Sequence, residues 1–486
     1  MSNGIEALHL IGGEWYPSVD DQWAESVDPS NGERIGRFAD GGEREARAAV
    51  NAARRAFQAP KWSQNPRLRQ QVLLQWASRL EANSEELAEL LTRENGKVIA
   101  QSRGELIATV SEIRYYAGLA RHNPGHVLEI APGEFSTMLR EPAGVAALII
   151  PWNAPATLLA RAIAPALAVG CTVVVKPAPQ TPLITAALLA PLANITELPK
   201  GVINLFAETG HSGAQYLVAT PEVEVLCFTG STATGQQIMA NAAPTMKKLS
   251  LELGGKSCAL VFEDADTASI APRLAVAATI ISGQQCTAAR RVLVHESRFK
   301  EMKYLLGQAL DQLEVGPGLN PSSQMGPLID WQARDRVAQQ MAEAYELSDE
   351  VVLRGQIPRG RLAEGAYLMP GLIAHGDDNA FFCQEEIFGP LLILESFTSE
   401  AEAIAKANNT RFGLSASVWT EQGARGLRVA RALANGTVWL NDHNKLFAEA
   451  ETGGYRQSGI GRLHGYDALN DFTEVKHFYQ NCGLVK

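Results

Sequence analysis

The sequence predicts an α/β fold built on parallel sheets, and three observations carry that reading. Between Pro142 and Leu253, continuous apolar runs (GVAALII, TVVVK, VINLF, VEVLCFTG) alternate with helical stretches, among them one from about Ala156 to Val169 and one near 183–193. Apolar strands without polar alternation, separated by helices, mark a parallel sheet covered on both faces. A second strand and helix series runs from about Ser257 to Val438. Finally, VEVLCF breaks into Thr229-Gly230-Ser231-Thr232-Ala233-Thr234-Gly235 and opens a helix, the turn that puts a helix N-terminus at the carboxyl end of a strand.

The remaining elements follow in chain order. A short strand, Leu8 to Ile11, ends at the Gly12-Gly13 turn. Ala46, Val50, Ala53 and Phe57 then recur at helical spacing, and a second amphipathic stretch runs from about Arg67 to Arg93. From about Val127 the pattern becomes VLEI, Ala131-Pro-Gly, then STMLREP, which reads as a protruding hairpin returning into the buried strand GVAALII. The helices before that hairpin and the sheet after it are expected to form one domain. The last strand-like piece, Phe472 to Tyr479, lies beyond the final core unit and is expected to be free to pair with another subunit.

Composition narrows the function classes. A chain of 486 residues is too long for one ordinary core and implies roughly two to four packed units. Forty-three Lys plus Arg against 53 Asp plus Glu leave a net charge of −10 with no basic block, which disfavours nucleic acid and anionic membranes and favours small-molecule partners. No basic-then-apolar leader opens the chain, and the most apolar run, Gly144 to Trp152, is broken by Pro151 and Asn153, so a cytoplasmic protein is expected. Six widely spaced cysteines without a CxxC pair or a His at ligand spacing read as free thiols, with no metal site.

Several residues carry candidate chemistry. Gly230 permits close backbone approach, and the helix opening at Ser231 offers unpaired N–H groups and positive dipole to a phosphate, although a two-glycine turn also occurs in plain packing. Gly255-Lys256-Ser257 resembles the end of a P-loop, but the required first glycine falls on Ser250, which excludes nucleoside triphosphate hydrolysis. Lys176 ends a buried strand, where it either meets a ribose hydroxyl or phosphate or snorkels to solvent.

Cys286 lies in the polar, glycine-containing Ser282-Gly-Gln-Gln-Cys-Thr between an apolar helix and the strand RRVLVHE. That setting suits an exposed, thiolate-stabilising nucleophile, whereas Cys171 and Cys227 sit in apolar runs. Glu252, flanked by leucines and two glycines, is expected to be buried with a raised pKa suited to a general base, the alternative being a glutamate paired with a lysine. Asn153, fixed between two prolines before a helix, is a neutral donor suited to an oxyanion.

Taken together and in order, LIGGEW, PWNAP, VVVKP, FTGSTATG, LELGGK, GQQC, EEIFGP and GGYRQSGIGR resemble the aldehyde dehydrogenase superfamily over nearly the whole chain, including its Glu-to-Cys spacing. The resemblance implies that Cys286 attacks the aldehyde carbon, that Asn153 and the Cys286 N–H hold the oxyanion, and that Glu252 activates the water that hydrolyses the thioester. It also implies that Glu386 and Phe388 hold the nicotinamide ribose and ring, with Trp152, Lys176, Ser231, Gly230 and Gly235 along the rest of the cofactor.

The fold so implied is a Rossmann-like cofactor domain (1–122 and 143–254), an α/β catalytic domain (255–450) and a small β oligomerisation domain (123–142 and 470–486), assembled as a homodimer or homotetramer. Pro179 stands where many NAD-preferring members carry glutamate, so use of both NAD and NADP is expected.

Arg161, Thr157 and Gln285 are placed along the substrate path. Arg161 occupies a position where succinate-semialdehyde dehydrogenases also carry arginine, and it suits a carboxylate-bearing aldehyde or else a structural pair; their second arginine is Ile280 here. Ala154, Thr157 and Leu158 are small enough to leave room for a broader or aromatic aldehyde. The competing readings are a CoA-acylating dehydrogenase, which Glu252 argues against, and a catalytically silent structural protein, which retention of Cys286, Glu252 and Asn153 together argues against.

Overall fold

The computed structural model describes residues 4–484. Two α/β sheets dominate it. The first has eight strands in the order Gly459–Ile460, Lys248–Glu252, Val225–Thr229, Val145–Ile150, Thr172–Pro177, Ile203–Leu205, His9–Ile11 and Glu14–Tyr16. Its five inner strands are parallel, and antiparallel partners close both edges. The run GVAALII is buried along almost its whole length because helices cover both faces: Pro155–Val169 is apolar nearly all round, and Glu43–Gln58 packs Ala46, Ala49, Val50 and Ala53 against the other side. The second sheet has seven strands, from Glu350–Leu353 through Gly371–Ala374, Leu391–Phe397, Arg291–His295, Cys258–Val261 and Ser415–Trp419 to Thr437–Leu440, parallel except at its first strand.

Two details differ from the sequence reading. The stretch from Arg67 to Arg93 is two helices, Pro66–Ala82 and Ser84–Asn95, interrupted at Asn83. Strands Trp23–Val27 and Arg34–Ala39, which lack a long apolar run, form a small sheet with Ile5–Ala7 that the sequence did not announce. The C-terminal strand Thr473–Asn481 pairs antiparallel with Glu134–Pro142 of its own chain, from Thr473 opposite Pro142 to Asn481 opposite Glu134, and forms the edge of that three-stranded sheet, with no strand on its outer side among the described residues. Length explains this, because the second strand of the hairpin His126–Ala131/Glu134–Pro142 offers a nine-residue edge that matches the nine-residue terminal strand. No helix among the described residues is long and apolar enough to cross a membrane.

Candidate active site

The inner strands of the first sheet deliver the sequence-marked residues to one edge. Trp152 and Asn153 follow Val145–Ile150, Lys176 lies near the end of Thr172–Pro177, Gly230 follows Val225–Thr229, and Glu252 ends Lys248–Glu252. Chain order reverses between Val145–Ile150 and Val225–Thr229, so the crevice between Asn153 and Gly230 is the switch point of the sheet.

At that crevice Ser231 caps the helix Thr232–Ala242, its hydroxyl accepting from the Thr234 N–H at 3.2 Å. The glycines have steric reasons. A Cβ on Gly230 would meet the Phe228 ring at 2.4 Å, and one on Gly235 would meet Leu253 at 2.6 Å, so the helix could not seat on the strand. The Gly254-Gly255 pair does the same for the step between sheets. A Cβ on Gly254 would strike the Glu386 carboxylate at 2.3 Å, and one on Gly255 would stand 3.0 Å from the Cys286 carbonyl oxygen.

Cys286 follows a strained turn. Ile281 (φ 48°), Ser282 (φ 55°) and Gly283 (φ 76°) are consecutive left-handed residues, a conformation unfavourable for a β-branched side chain and costing roughly 1–3 kcal/mol per non-glycine residue. Side chains hold it. The Ser282 hydroxyl points at the carbonyls of Gly326 (2.7 Å) and Pro327 (3.0 Å), and the buried Arg290 guanidinium donates to the carbonyls of Gly283, Gln285 (3.2 Å) and Gly389 (2.8 Å). The Asn153 amide donates to the Gln284 carbonyl at 3.0 Å, and the Ala288 N–H closes the turn on Gln285 at 3.0 Å. The Cys286 N–H finds no acceptor among the described residues.

Cys286, Glu252, Asn153, Thr157, Arg161 and Gln285 all line one cavity of about 360 Å³, with apolar walls from Leu158, Ile280, Ile281, Leu446 and Leu463. Cys286 is half-buried where Cys171 and Cys227 are buried, as the sequence suggested, but its surroundings do not favour the thiolate. Burial, with the carboxylates of Glu386 and Glu252 nearby, pushes the Cys286 thiol up to about 12. Burial likewise raises Glu252 to about 8, and its Oε1 has no partner; the paired-glutamate alternative is not what the structure contains. The Thr157 hydroxyl is taken by the Glu105 carbonyl at 3.1 Å, and the Gln285 amide donates to Thr287 Oγ1 at 3.0 Å and to Asn444 at 3.2 Å. Arg161 is different: its Nε is buried without a partner, and no described carboxylate forms an ion pair with it.

On the crevice side, Glu386 Oε1 accepts from the Gly255 N–H at 3.2 Å, and burial raises its pKa. Phe388 and Trp152 meet edge to face with centroids 5.6 Å apart. Lys176 is buried, not snorkelling, with Nζ 3.9 Å from Glu208, and Glu208 is itself committed to the N–H groups of Gly213 and Ala214.

Two groups escaped the sequence reading. Buried Lys97 pairs with Glu105 and donates to the Asn153 carbonyl at 2.7 Å, while Glu105 caps the helix after Asn153 by accepting from Ala156 and Thr157 N–H groups. His443 and Asn444 hold Thr287, next to Cys286. Both act through folding contacts between distant segments, and no local spacing announces them.

Comparison with known proteins fits this geometry. The family model described as aldehyde dehydrogenase family matches residues 15–478. The chain is 36% identical over 475 residues to betaine aldehyde dehydrogenase of Bacillus subtilis (strain 168), covering 97% of each. It is 36% identical over 484 residues to the NADP+ succinate-semialdehyde dehydrogenase of Escherichia coli (strain K12), covering 98% of each. The crystal structure of betaine aldehyde dehydrogenase from Staphylococcus aureus in complex with NAD+ superposes with a TM-score of 0.95 at 33% identity, covering 99% of this chain and 96% of that one. With a family model spanning nearly its whole length and relatives of matching fold and extent, the chain belongs to the aldehyde dehydrogenase family.

Proposed function

We propose that this protein oxidises an aldehyde to the carboxylic acid with NAD+ or NADP+, through a thiohemiacetal and a thioester on Cys286 that Glu252 hydrolyses. The observation that carries the reading is the convergence of Cys286, Glu252 and Asn153 on one cavity.

In the first step the Cys286 sulfur bonds to the aldehyde carbon, the thiol proton passes to ionised Glu252 and from there to solvent before the hydrolytic step, and the carbonyl π pair becomes an oxyanion. Asn153 has two amide protons, one held by the Gln284 carbonyl; the second, with the free Cys286 N–H, receives the oxyanion. The bound dinucleotide supplies the hydride acceptor. As the oxyanion collapses, the carbon-bound hydrogen leaves as hydride and a thioester remains. Glu252, at about 8, is a fraction ionised at neutral pH and takes a proton from the attacking water, after which the C–S bond breaks and acid is released.

The crevice fits a dinucleotide. The capped helix at Ser231 turns its N-terminus to a pyrophosphate, Gly230 keeps the approach open, Lys176 and Glu386 serve the two riboses, and Phe388 with Trp152 flanks the ring. Pro179 offers no carboxylate against a 2′-phosphate and Glu208 is tied to Gly213 and Ala214, which supports use of both coenzymes. On this reading residues 1–122 and 143–254 form the cofactor domain, 255–450 the catalytic domain, and 123–142 with 470–486 an oligomerisation domain. Exposed Val127, Leu128, Ile130, Val475, Phe478 and Tyr479 on that last sheet support a homodimer or homotetramer. Unpaired cysteines, four of them buried, suit a reducing cytoplasm.

Arg161 also bears on substrate class. It is a cavity cation without a counter-ion, and no aromatic ring lines the cavity to receive a quaternary ammonium group. That wall favours an aldehyde carrying a carboxylate over a cationic one.

The test is initial-rate formation of reduced coenzyme over aliphatic, aromatic, ω-carboxylated and trimethylammonium aldehydes, each with NAD+ and NADP+ and without CoA. Highest kcat/KM for a carboxylated aldehyde is expected. Equal rates for the cationic aldehyde would refute the role given to Arg161, and activity only with CoA would refute hydrolysis by Glu252.

A further inference from the structure

Beyond the cavity, a line of hydrogen bonds runs from the interior of the second sheet to the nucleophile turn. Trp419 Nε1 donates to Ser417 Oγ at 2.9 Å, Ser417 Oγ meets His443 Nδ1 at 3.0 Å, and His443 Nε2 meets the Thr287 carbonyl oxygen at 2.9 Å. All four residues are buried.

The chemistry of the two ends fixes the polarity of the line. An indole N–H only donates, so Ser417 spends a lone pair on it and turns its own proton to Nδ1. A peptide carbonyl only accepts, so Nε2 must carry the imidazole proton. His443 is thereby held neutral in one tautomer, and burial reinforces this by pushing its pKa down to about 4. The ring is also fixed laterally by Trp439, with centroids 4.8 Å apart.

The end of the line is a particular peptide. Thr287 follows Cys286 within the turn closed by Ala288 N–H on Gln285, and the next residue of the same loop, Asn444, accepts from Thr287 Oγ1 at 2.5 Å and from Gln285 Nε2 at 3.2 Å. The loop that carries these contacts is itself preset: Asn441 (φ 54°) and Asn444 (φ 62°) are left-handed, and the Asn441 side chain is bonded at both ends to Thr420. Both neighbours of Cys286 are therefore held from a segment far away in sequence, while the Cys286 N–H stays free.

We infer that His443 is a positioning residue for the reaction, its Nε2–H fixing the Thr287 peptide so that the Cys286 sulfur and N–H keep their orientation toward the aldehyde. The inference rests on the assignment of Cys286 as nucleophile. Misplacement of a reacting atom by about 1 Å costs on the order of a hundredfold in rate, so loss of this hydrogen bond falls on the hydride-transfer burst and kcat, not on coenzyme binding.

The experiment compares His443→Leu with His443→Gln, measuring the pre-steady-state burst of reduced coenzyme, steady-state kcat and KM, and NADH binding by fluorescence. Leucine fills the volume without a donor; glutamine returns an N–H at about the depth of Nε2. The expected result is a burst rate and kcat lowered at least tenfold in His443→Leu, KM and NADH affinity within twofold, and recovery of most of the rate in His443→Gln. A burst within twofold of wild type in His443→Leu, or a leucine variant as active as the glutamine one, overturns the inference. If His443→Leu does not fold, His443→Phe replaces it, filling the ring volume without a donor to the Thr287 carbonyl; an unchanged burst there overturns the inference equally. Cys286→Ala run alongside separates the two claims, since turnover surviving in that variant refutes the nucleophile assignment itself.

Discussion

In the interior of the seven-stranded sheet, the Arg291 guanidinium donates two hydrogen bonds to the two oxygens of the Glu395 carboxylate, at 2.5 and 2.7 Å, with both side chains fully buried. In the cavity wall, Arg161 forms no ion pair among the described residues, and Glu252 keeps one oxygen without a hydrogen-bond partner. The two regions share the same chemistry of arginine and glutamate but not the same completeness. A buried pair that satisfies itself has nothing left to offer a ligand and serves the scaffold. Unspent charge in a cavity is held at a cost, seen here in the displacement of Glu252 to about 8, and it is available to substrate, water or a developing oxyanion.

The sharpest way to break this contrast is Cys286→Ala. It should lower aldehyde oxidation by at least about a thousandfold while NADH binding, followed by fluorescence, stays intact. Residual turnover near wild type would remove the cavity from the chemistry altogether.

The scaffold side is tested by Arg291→Met. Breaking one partner of a buried pair leaves the other charge stranded and should cost about 3–5 kcal/mol of stability in a denaturant titration. A loss below about 1 kcal/mol would show that Glu395 finds other compensation. Arg161→Met makes the opposite expectation: stability within about 1 kcal/mol of wild type, with kcat/KM for ω-carboxylated aldehydes down by about 10- to 100-fold and neutral aldehydes nearly unaffected. Equal losses for both aldehyde classes would reassign Arg161 to structure.

The smallest effect is on pH. Glu252 is active as a base only when ionised, so deacylation should rise with pH through about 8. The positive charge of Arg161 favours ionised Glu252, so Arg161→Met should move that limb to higher pH. A limb that moves down, or not at all, would contradict the electrostatic coupling across the cavity.

Sequence patterns carried the fold where burial is continuous. GVAALII, TVVVK and VEVLCF announced adjacent parallel strands because both faces of each are covered. Trp23–Val27 went unread because it buries a single residue, and Arg34–Ala39 because Gly36 and Arg37 break up its buried apolar residues. The terminal strand was recognised as a strand and grouped with the hairpin through the family resemblance, while its residue-by-residue register is set by the hairpin edge and is a tertiary fact.

In the candidate site, the reading of Glu252 as buried and raised followed from its leucine and glycine neighbours, while for Cys286 the same reasoning found its accessibility relative to Cys171 and Cys227 but not its charge state. Polarity of the surrounding letters implied an accessible thiolate; the residue is half-buried, but partial burial with Glu386 and Glu252 near it raises the thiol. The supports from Lys97, Glu105 and His443 were invisible because each joins segments far apart in the chain.

The most direct test of the account is mass spectrometry of Glu252→Gln mixed with NAD+ and an aldehyde oxidised by the wild type. The account predicts one equivalent of reduced coenzyme formed in a burst, slow turnover afterwards, and an acyl adduct on the peptide containing Cys286. Steady turnover at the wild-type rate, or a burst with no mass added to Cys286, would contradict it.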